Sequence, residues 1–184
     1  MCKQCELNPV YEFTNKRKLC KMCFVNYFQK KFLFTIRKFN LVKQGDIIGY
    51  KKDNHLKEIV LEDLLLLLKK KYGTEVIKLP NIHVNKIASD SSIDSESDEI
   101  VKTIIEGDAN DLGKGLPSEK NIIKPLYLFS DEEILLYAKI KNLKFKEEKI
   151  EKNKINNFIN EFEKKHPEIK RAVVNSLLEL YKKG

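Results

Sequence analysis

The chain has 184 residues, of which 42% are hydrophobic and 34% are charged, a composition typical of a globular protein with a highly charged surface. The longest uninterrupted apolar run, residues 64–68, is far too short to cross a bilayer, and the opening residues lack the apolar core of a secretion signal. We therefore expect neither a membrane protein nor an exported one, and we predict a cytoplasmic location.

The net charge of +8 is distributed unevenly along the chain. Residues 90–111 contain eight acidic residues and a single lysine, so the remainder carries 34 basic and 19 acidic residues, a net charge of +15. A body this basic favours a polyanionic partner, and RNA or DNA is the usual one. Charge alone specifies a partner poorly, and a general role in solubility stays open.

All the cysteines lie at the start of the chain, as two Cys-x-x-Cys pairs: Cys2, Cys5, Cys20 and Cys23. Two such pairs can bind one ion tetrahedrally through four thiolates, and the residues between them suit a hairpin that turns at Thr14-Asn15-Lys16. Disulfides are the weaker interpretation in a chain without a secretion signal. An iron–sulfur cluster is possible with four thiolates, but the close spacing favours zinc. We predict one structural zinc ion in a zinc ribbon over residues 1–25.

The next segment, FVNYFQKKFLFTIRKFNL, predicts a long basic helix within a connecting region over residues 26–44. Four cations fall on the face opposite its apolar stripe: Lys30, Lys31, Arg37 and Lys38. Tyr27 and Phe34 lie among them, so this face can follow a phosphate backbone and stack on bases. The alternative is a solvated face with two aromatic residues touching a neighbouring subunit. Three further cations come from the ribbon: Lys16, Arg17 and Lys18.

Residues 45–184 alternate short strands with helices, which predicts a small, parallel α/β sheet followed by C-terminal helices. Strands are expected at 45–50, 75–79, 83–88 and near 122–128, and helices at 55–72, 95–106 and 131–142, with two more after them. Asp94 is expected to cap the helix at 95–106, and Ser130 with Glu133 forms a capping box for the helix at 131–142. On composition alone, KIASDSSIDSESD (residues 86–98) is also compatible with a disordered acidic linker.

Taken in order, the two cysteine pairs, the basic helix and FNLVKQGDIIGY resemble the start of the tRNA 2-thiouridine synthetases of the PP-loop ATP-pyrophosphatase superfamily. The resemblance resumes at KIASDSSIDSESDEIVKTIIEGDANDLGK, continues through IKPLYLFSDEEILLYAKIKNLKF, and extends to NNFINEFEKKHPEIKRAVVNSL. It covers residues 1–50 and 83–180. It implies a Rossmann-like PP-loop domain over residues 45–184, here truncated because few residues separate GDIIGY from KIAS.

The chain departs from this family at the parts that carry the chemistry. The family's ATP loop, Ser-Gly-Gly-x-Asp-Ser, would follow the first strand, where this chain has KKDNHLKEIV and no Gly-Gly. Glycines there let backbone N–H groups close around pyrophosphate. Where the family has Gly-His-Asn-x-Asp-Asp-Glu, this chain has Asp90-Ser-Ser-Ile-Asp-Ser-Glu96, so Asp94 and Glu96 match while an acid stands at the start. No cysteine follows Cys23, which leaves no thiolate for a persulfide or a catalytic cluster.

The resemblance therefore implies a degenerate, non-catalytic partner subunit of the tRNA 2-thiolation enzyme that modifies the wobble uridine. It would form a heterodimer with an active subunit of the same family through the long helix and the C-terminal helices, and the seven cations named above would be its tRNA contacts. The alternative is a stand-alone zinc-ribbon RNA-binding regulator. An independent enzyme with other chemistry has little in its favour. His55 and His83 have no visible partner in the sequence, and His166 precedes Pro167 at a helix start, where capping or packing is the expected role.

Overall fold

A computed structural model describes residues 1–81, 83–146 and 154–182. The helices are α1 (Lys21–Lys38), α2 (Leu56–Tyr72), α3 (Ile93–Glu106), α4 (Asp131–Ile140), α5 (Lys154–Lys165) and α6 (Ile169–Lys182). The strands are β1 (Tyr11–Glu12), β2 (Lys18–Leu19), β3 (Ile47–Tyr50), β4 (Glu75–Lys78), β5 (Lys86–Ala88), β6 (Ser118–Glu119) and β7 (Ile122–Ile123). β1 and β2 form an antiparallel hairpin, as the sequence predicts for the segment between the cysteine pairs.

The main sheet has the strand order β4-β3-β5-β7-β6. β3 pairs in parallel with both β4 and β5, β5 pairs in parallel with β7, and β6 joins antiparallel at one edge. Because β4 and β5 lie on opposite sides of β3, the strand order reverses there. Doubly wound sheets bind their ligands in the crevice at the carboxyl ends of the strands beside such a reversal. The predicted α/β fold with a mostly parallel sheet is confirmed.

Two glycines fix the geometry around β3 and α2. Gly73 follows α2 with a left-handed φ of +69° and ends the helix at the predicted residue. Gly49 lies within β3, where an added Cβ would stand 2.8 Å from Cδ2 of Leu79. A side chain at this position would force Leu79 to shift, so Gly49 allows the residue that follows β4 to approach β3 closely.

One buried cluster joins the N-terminal hairpin, α1 and the sheet. Phe24, Phe28 and Phe32 of α1 are fully buried, and Phe28 stacks on Tyr137 of α4 with 4.2 Å between the ring centroids. Leu19 of the hairpin belongs to the same cluster. The helix begins at Lys21, so the boundary predicted between residues 25 and 26 falls inside α1.

The stretch KIASDSSIDSESD is a structural part of the domain and not a linker, because β5 and the start of α3 lie within it. The cap predicted at Asp94 is wrong: Ser92 is the N-cap, and its hydroxyl accepts from the backbone N–H of Ser95. Asp94 lies in the first turn of α3, where it accepts from the backbone N–H of Asp131 at 2.8 Å and pairs with Lys170 at 2.5 Å. Asp94 therefore connects α3 to α4 and α6. The capping box at Ser130, by contrast, is confirmed.

Candidate metal centre, basic groove and sheet-edge cleft

The N-terminal hairpin brings four cysteine thiols to one point. Cys2 and Cys5 flank the turn before β1, Cys20 is the N-cap of α1, and Cys23 lies in the first turn of that helix. All four sulfur atoms lie within 4.8 Å of one another, and Cys5 Sγ is 3.3 Å from Cys20 Sγ and 3.6 Å from Cys23 Sγ. Four sulfurs placed about 2.3 Å from one central ion stand about 3.8 Å apart in a tetrahedron. The arrangement therefore fits a single tetrahedral metal ion.

Backbone amides prepare part of this site for metal binding. Burial alone would raise the pKa of Cys2, but hydrogen bonds from the backbone amides of Gln4, Cys20 and Cys5 outweigh it and lower the pKa to about 6. The backbone amide of Cys23 likewise lowers the pKa of Cys20. Thiols bind metal only after losing their protons, so these two sulfurs are ready ligands near neutral pH. None of the four cysteines forms a disulfide.

A cleft of about 880 Å³ opens at the carboxyl ends of β3, β4 and β5. Its described charged lining consists of three lysines and three acids: Lys51, Lys52, Lys78, Asp53, Glu58 and Asp90. Lys51 forms an ion pair with Asp53, and Lys52 Nζ lies 2.8 Å from Glu62 Oε1. Two of the three lysines are thus paired with neighbouring carboxylates, which reduces the positive field inside the cleft.

The loop between β3 and α2 closes around a carboxylate of the protein itself. Glu58, the third residue of α2, is only 8% exposed. Its Oε2 accepts from the backbone N–H of Asp53 at 2.7 Å and of His55 at 3.3 Å. In nucleotide-binding sheets, amides at such a strand-to-helix turn receive phosphate oxygens. Sequence analysis noticed the missing glycines but not Glu58, although its position three residues after His55 matches a capping box.

The two acids that match the family's motif have structural partners. Asp94 pairs with Lys170, as described above, and Glu96 Oε2 lies 2.7 Å from Lys124 Nζ in a buried ion pair. Lys124 also donates to the backbone carbonyl of Lys114. Burial raises the pKa of Glu96, although Lys124 opposes this shift. Packing and ion pairing account for both acids without any ligand.

The seven predicted RNA-contacting cations lie on the hairpin, in a groove beside it and near the C-terminal end of α1. Lys16 and Lys18 project from the hairpin and both contact Glu12, at 3.7 and 3.0 Å. Arg37 and Lys38 are exposed near the C-terminal end of α1, about 11 Å along the helix from Lys30. The remaining three share a cavity of about 350 Å³, here called the basic groove, which is lined by Gln4, Arg17, Asn26, Tyr27, Lys30, Lys31 and Phe34.

The sequence-based assignment of Lys31 to the solvent face of α1 was wrong. Its Nζ lies 2.6 Å from Glu133 Oε2, and its side chain is only 12% exposed. Burial lowers the pKa of Lys31, and the Glu133 carboxylate opposes this shift. The Tyr27 hydroxyl donates to the other oxygen of Glu133 at 3.1 Å. Lys31 therefore connects α1 to α4, which leaves Arg17 and Lys30 as the cations of the groove that are not paired with Glu133.

Two polar residues of the basic groove were missed by sequence analysis. Asn26 precedes Lys30 by one helical turn, so the 3.6-residue period could have identified it. Gln4 lies between Cys2 and Cys5, and no periodicity indicates that it lines the groove. Its position follows from the turn that brings the cysteines together.

Exposed apolar side chains gather on α3 and α6. Ile104, Ile105, Leu180 and Tyr181 are between 48% and 67% exposed, and an apolar groove of about 290 Å³ separates the two helices. The apolar stripe of α1, in contrast, is buried in the core, so this stripe is not available for the interface predicted on α1. No helix in the described part of the chain combines the length and the hydropathy that crossing a membrane requires.

No family model matches the chain, and no curated protein matches it. Its fold is nevertheless found among solved structures, in the class of the tRNA thiolases. One such structure is the U34-tRNA thiolase NcsA from Methanococcus maripaludis with its 4Fe-4S cluster. The match has a TM-score of 0.74 at 16% sequence identity and covers 98% of this chain and 87% of that chain. At this identity the likeness establishes the fold alone, and it agrees with the fold that the sequence resemblance implies.

Proposed function

We propose that this chain is a non-catalytic partner subunit of a tRNA 2-thiolation enzyme that acts on the wobble uridine. One observation carries the proposal: within a thiolase fold, Glu58 takes the backbone N–H groups of Asp53 and His55 at the strand-to-helix turn. A carboxylate held there opposes phosphate binding in two ways, because it uses the donors and because it repels a second negative charge. The cleft therefore supports a scaffold role better than ATP chemistry.

The cysteine content of the sequence supports the same proposal. NcsA was solved with a 4Fe-4S cluster, whereas every cysteine of the present sequence belongs to the N-terminal set. The four sulfurs converge on one point at the start of α1. No thiolate is left within this sequence to act as a sulfur carrier or as a cluster ligand at the sheet edge.

We further propose that Cys2, Cys5, Cys20 and Cys23 hold one structural zinc ion. A 4Fe-4S cluster places each thiolate on a separate iron, which requires wider spacing than the 3.3 and 3.6 Å found between these sulfurs. A closed set of four thiolates leaves no open coordination position, so the ion stabilises the fold and takes no part in a reaction.

In this role the ribbon and α1 present a basic surface to tRNA, while the exposed apolar side chains of α3 and α6 contact the active subunit. We place the complex in the cytoplasm. A decayed copy of an enzyme can retain its half of an interface after its own chemistry is lost. Contiguous exposed apolar side chains commonly mark such an interface.

Assembly with an active thiolase tests the proposal. The chain, the active thiolase of the same organism and their mixture would be compared by light scattering, and tRNA thiolation would be measured with and without the chain. We expect a heterodimer and reduced thiolation when the chain is omitted. Leu180→Lys on α6 should weaken assembly, whereas Leu66→Lys, at an exposed leucine of α2, should not. If the chain ignores the active enzyme and thiolation is unchanged, the stand-alone RNA-binding regulator replaces this proposal.

The filled loop has its own test. Calorimetric titration of the isolated chain with ATP and magnesium should show no heat of binding, because the amides of Asp53 and His55 are already bonded. A micromolar dissociation constant would contradict the non-catalytic assignment, since it would require a phosphate site that Glu58 does not block.

A further inference from the structure

We infer that the basic groove beside the cysteine site binds one unpaired nucleotide of an RNA, with its phosphate at Arg17 and Lys30 and its base on Phe34. The inference deepens the proposed tRNA role and rests on it for the identity of the RNA. It arises from the charge, the aromatic surface and the size of the groove.

The groove is positively charged and lacks acids in its described lining. Glu133, packed behind the lining, pairs with Lys31 and leaves two cations for a ligand. Arg17 and Lys30 form no ion pair within the described ranges of the chain. The Arg17 guanidinium lies 4.2 Å from the centroid of the Phe13 ring, and its buried Nε has no hydrogen-bond partner. Stacking therefore positions this guanidinium, whose terminal N–H groups suit phosphate oxygens.

Phe34 supplies the aromatic surface. It is 48% exposed and lies one helical turn beyond Lys30, with Lys38 Nζ 5.8 Å from its ring centroid on the next turn. An exposed ring between cations is the arrangement on which single-stranded nucleic acids stack their bases. Tyr27 is engaged elsewhere, since its ring packs 5.0 Å from that of Phe13 and its hydroxyl bonds Glu133.

The size of the groove selects an unpaired nucleotide. Its volume of about 350 Å³ lies at the small end of the range for ligand sites, so it holds one nucleotide and not a helix. In a duplex the base faces are covered by stacking, and only loops, bulges and ends offer them to a protein. Gln4 and Asn26 place two side-chain amides in the lining, and each can donate and accept at a base edge.

The test uses the full chain with its metal, a fluorescently labelled oligouridine and a labelled RNA duplex of equal length. Binding would be followed by anisotropy over a series of salt concentrations. Phe34→Leu should weaken oligouridine binding about fivefold or more, because base stacking is lost, while the salt dependence stays the same. Lys30→Gln should lower the salt slope by about 0.7, because one phosphate contact is lost. Neither the affinity for the duplex nor the fold, followed by thermal melting, should change with Phe34→Leu.

Two variants on α2 serve as matched controls: Tyr72→Leu removes an exposed ring, and Lys70→Gln removes an exposed cation. Both should bind oligouridine like the unmodified chain. The inference is overturned if oligouridine does not bind, if Phe34→Leu is neutral, if it weakens duplex and single strand equally, or if inorganic phosphate competes as well as uridine monophosphate. Assembly with the active thiolase is measured separately. The binding data can therefore contradict the nucleotide site without contradicting the partner role, and the assembly data can contradict the partner role without contradicting the nucleotide site.

Discussion

The cysteine site at the start of α1 and the strand-to-helix loop at the sheet edge both gather polar groups around one point, but they complete it differently. The first brings together four thiols that could hold one metal ion, and backbone amides favour the ionised form of two of them, Cys2 and Cys20. The second offers backbone amides and satisfies them with Glu58 from its own helix. At this loop a side chain of the protein itself therefore occupies the backbone donors. Substitutions at four acidic or cysteine positions test this difference.

Cys20→Ser tests the site that depends on an ion. Four-thiolate metal binding is worth on the order of 10 kcal/mol to small modules, so this change should abolish stoichiometric metal and unfold the hairpin. Elemental analysis and limited proteolysis of residues 1–20 provide the measurement. Thr14→Ala, in the exposed turn of the hairpin, is the control and should retain one zinc per chain. Stoichiometric iron with visible absorbance in the unmodified chain would contradict zinc and change the comparison.

Glu96→Gln tests whether the matched acids serve the scaffold. The change leaves the Lys124 ammonium buried without its partner, which should lower the free energy of unfolding by about 3 kcal/mol. Urea unfolding measures the loss. The double variant Glu96→Gln with Lys124→Met should recover much of it, since neither charge then remains. Unchanged stability of the single variant would indicate that Glu96 has a role other than this ion pair.

Glu58→Ala tests the site that is complete without a ligand. Removing the carboxylate frees the amides of Asp53 and His55, and loss of such a cap should cost about 1 kcal/mol. Inorganic pyrophosphate should then raise the melting temperature of the variant but not of the unmodified chain, because a ligand of the folded state stabilises it. Glu106→Ala, which removes an exposed acid at the C-terminal end of α3, is the control. Equal stabilisation of both chains by pyrophosphate would show that Glu58 does not fill an anion site.

Asp98→Asn is expected to change the free energy of unfolding least of the four substitutions. Asp98 lies in α3, close to the carboxylates of Asp94 and Asp131. Burial, assisted by the charges of Asp94 and Asp131 and opposed by Lys170 and Lys57, raises the pKa of Asp98 to about 6. The folded state therefore holds this proton more tightly than the unfolded state, and the ionised carboxylate destabilises the fold above pH 6. Asp98→Asn should stabilise the chain at pH 7.5 by less than about 1 kcal/mol after solvent screening.

The sign of this last effect can be checked with pH. The advantage of Asp98→Asn should shrink as the pH falls from 6 to 4, because Asp98 itself becomes neutral in the folded chain. Thermal melts of the variant and of the unmodified chain across this range provide the measurement. A constant difference between the two chains at every pH would contradict a titrating Asp98.

Local signals in the sequence predicted much of the fold. The paired cysteine spacing indicated the hairpin and the metal site, and the Ser130 capping box and Gly73 indicated where α4 begins and α2 ends. Alternation of strands and helices indicated the parallel sheet. Each of these signals is contained within a few neighbouring residues, so no knowledge of distant partners is needed.

The errors fell on residues whose partners are distant in sequence. The position of Lys31 in the helical period predicts a cation that faces solvent. Its side chain is instead buried in an ion pair with Glu133 of α4. Asp94 is of a residue type that commonly caps helices. Its carboxylate instead accepts a hydrogen bond from the backbone N–H of Asp131 and pairs with the side chain of Lys170. The hydrophobic periodicity of a helix shows which of its faces is apolar. It does not show which charged residues lie on the helix or strand that packs against it.

The continuity of α1 limits how the cysteine site can move relative to the sheet. The helix runs unbroken from its N-cap at Cys20 to Lys38, without a proline or a glycine, and Glu133 clamps its middle turn through Lys31 and Tyr27. A hinge between the cysteine site and the sheet would need a break in this helix. The two ends of α1 therefore share one orientation, and a rearrangement of the cysteine site would reach α4 along this helix, through the contacts of Tyr27 and Lys31 with Glu133.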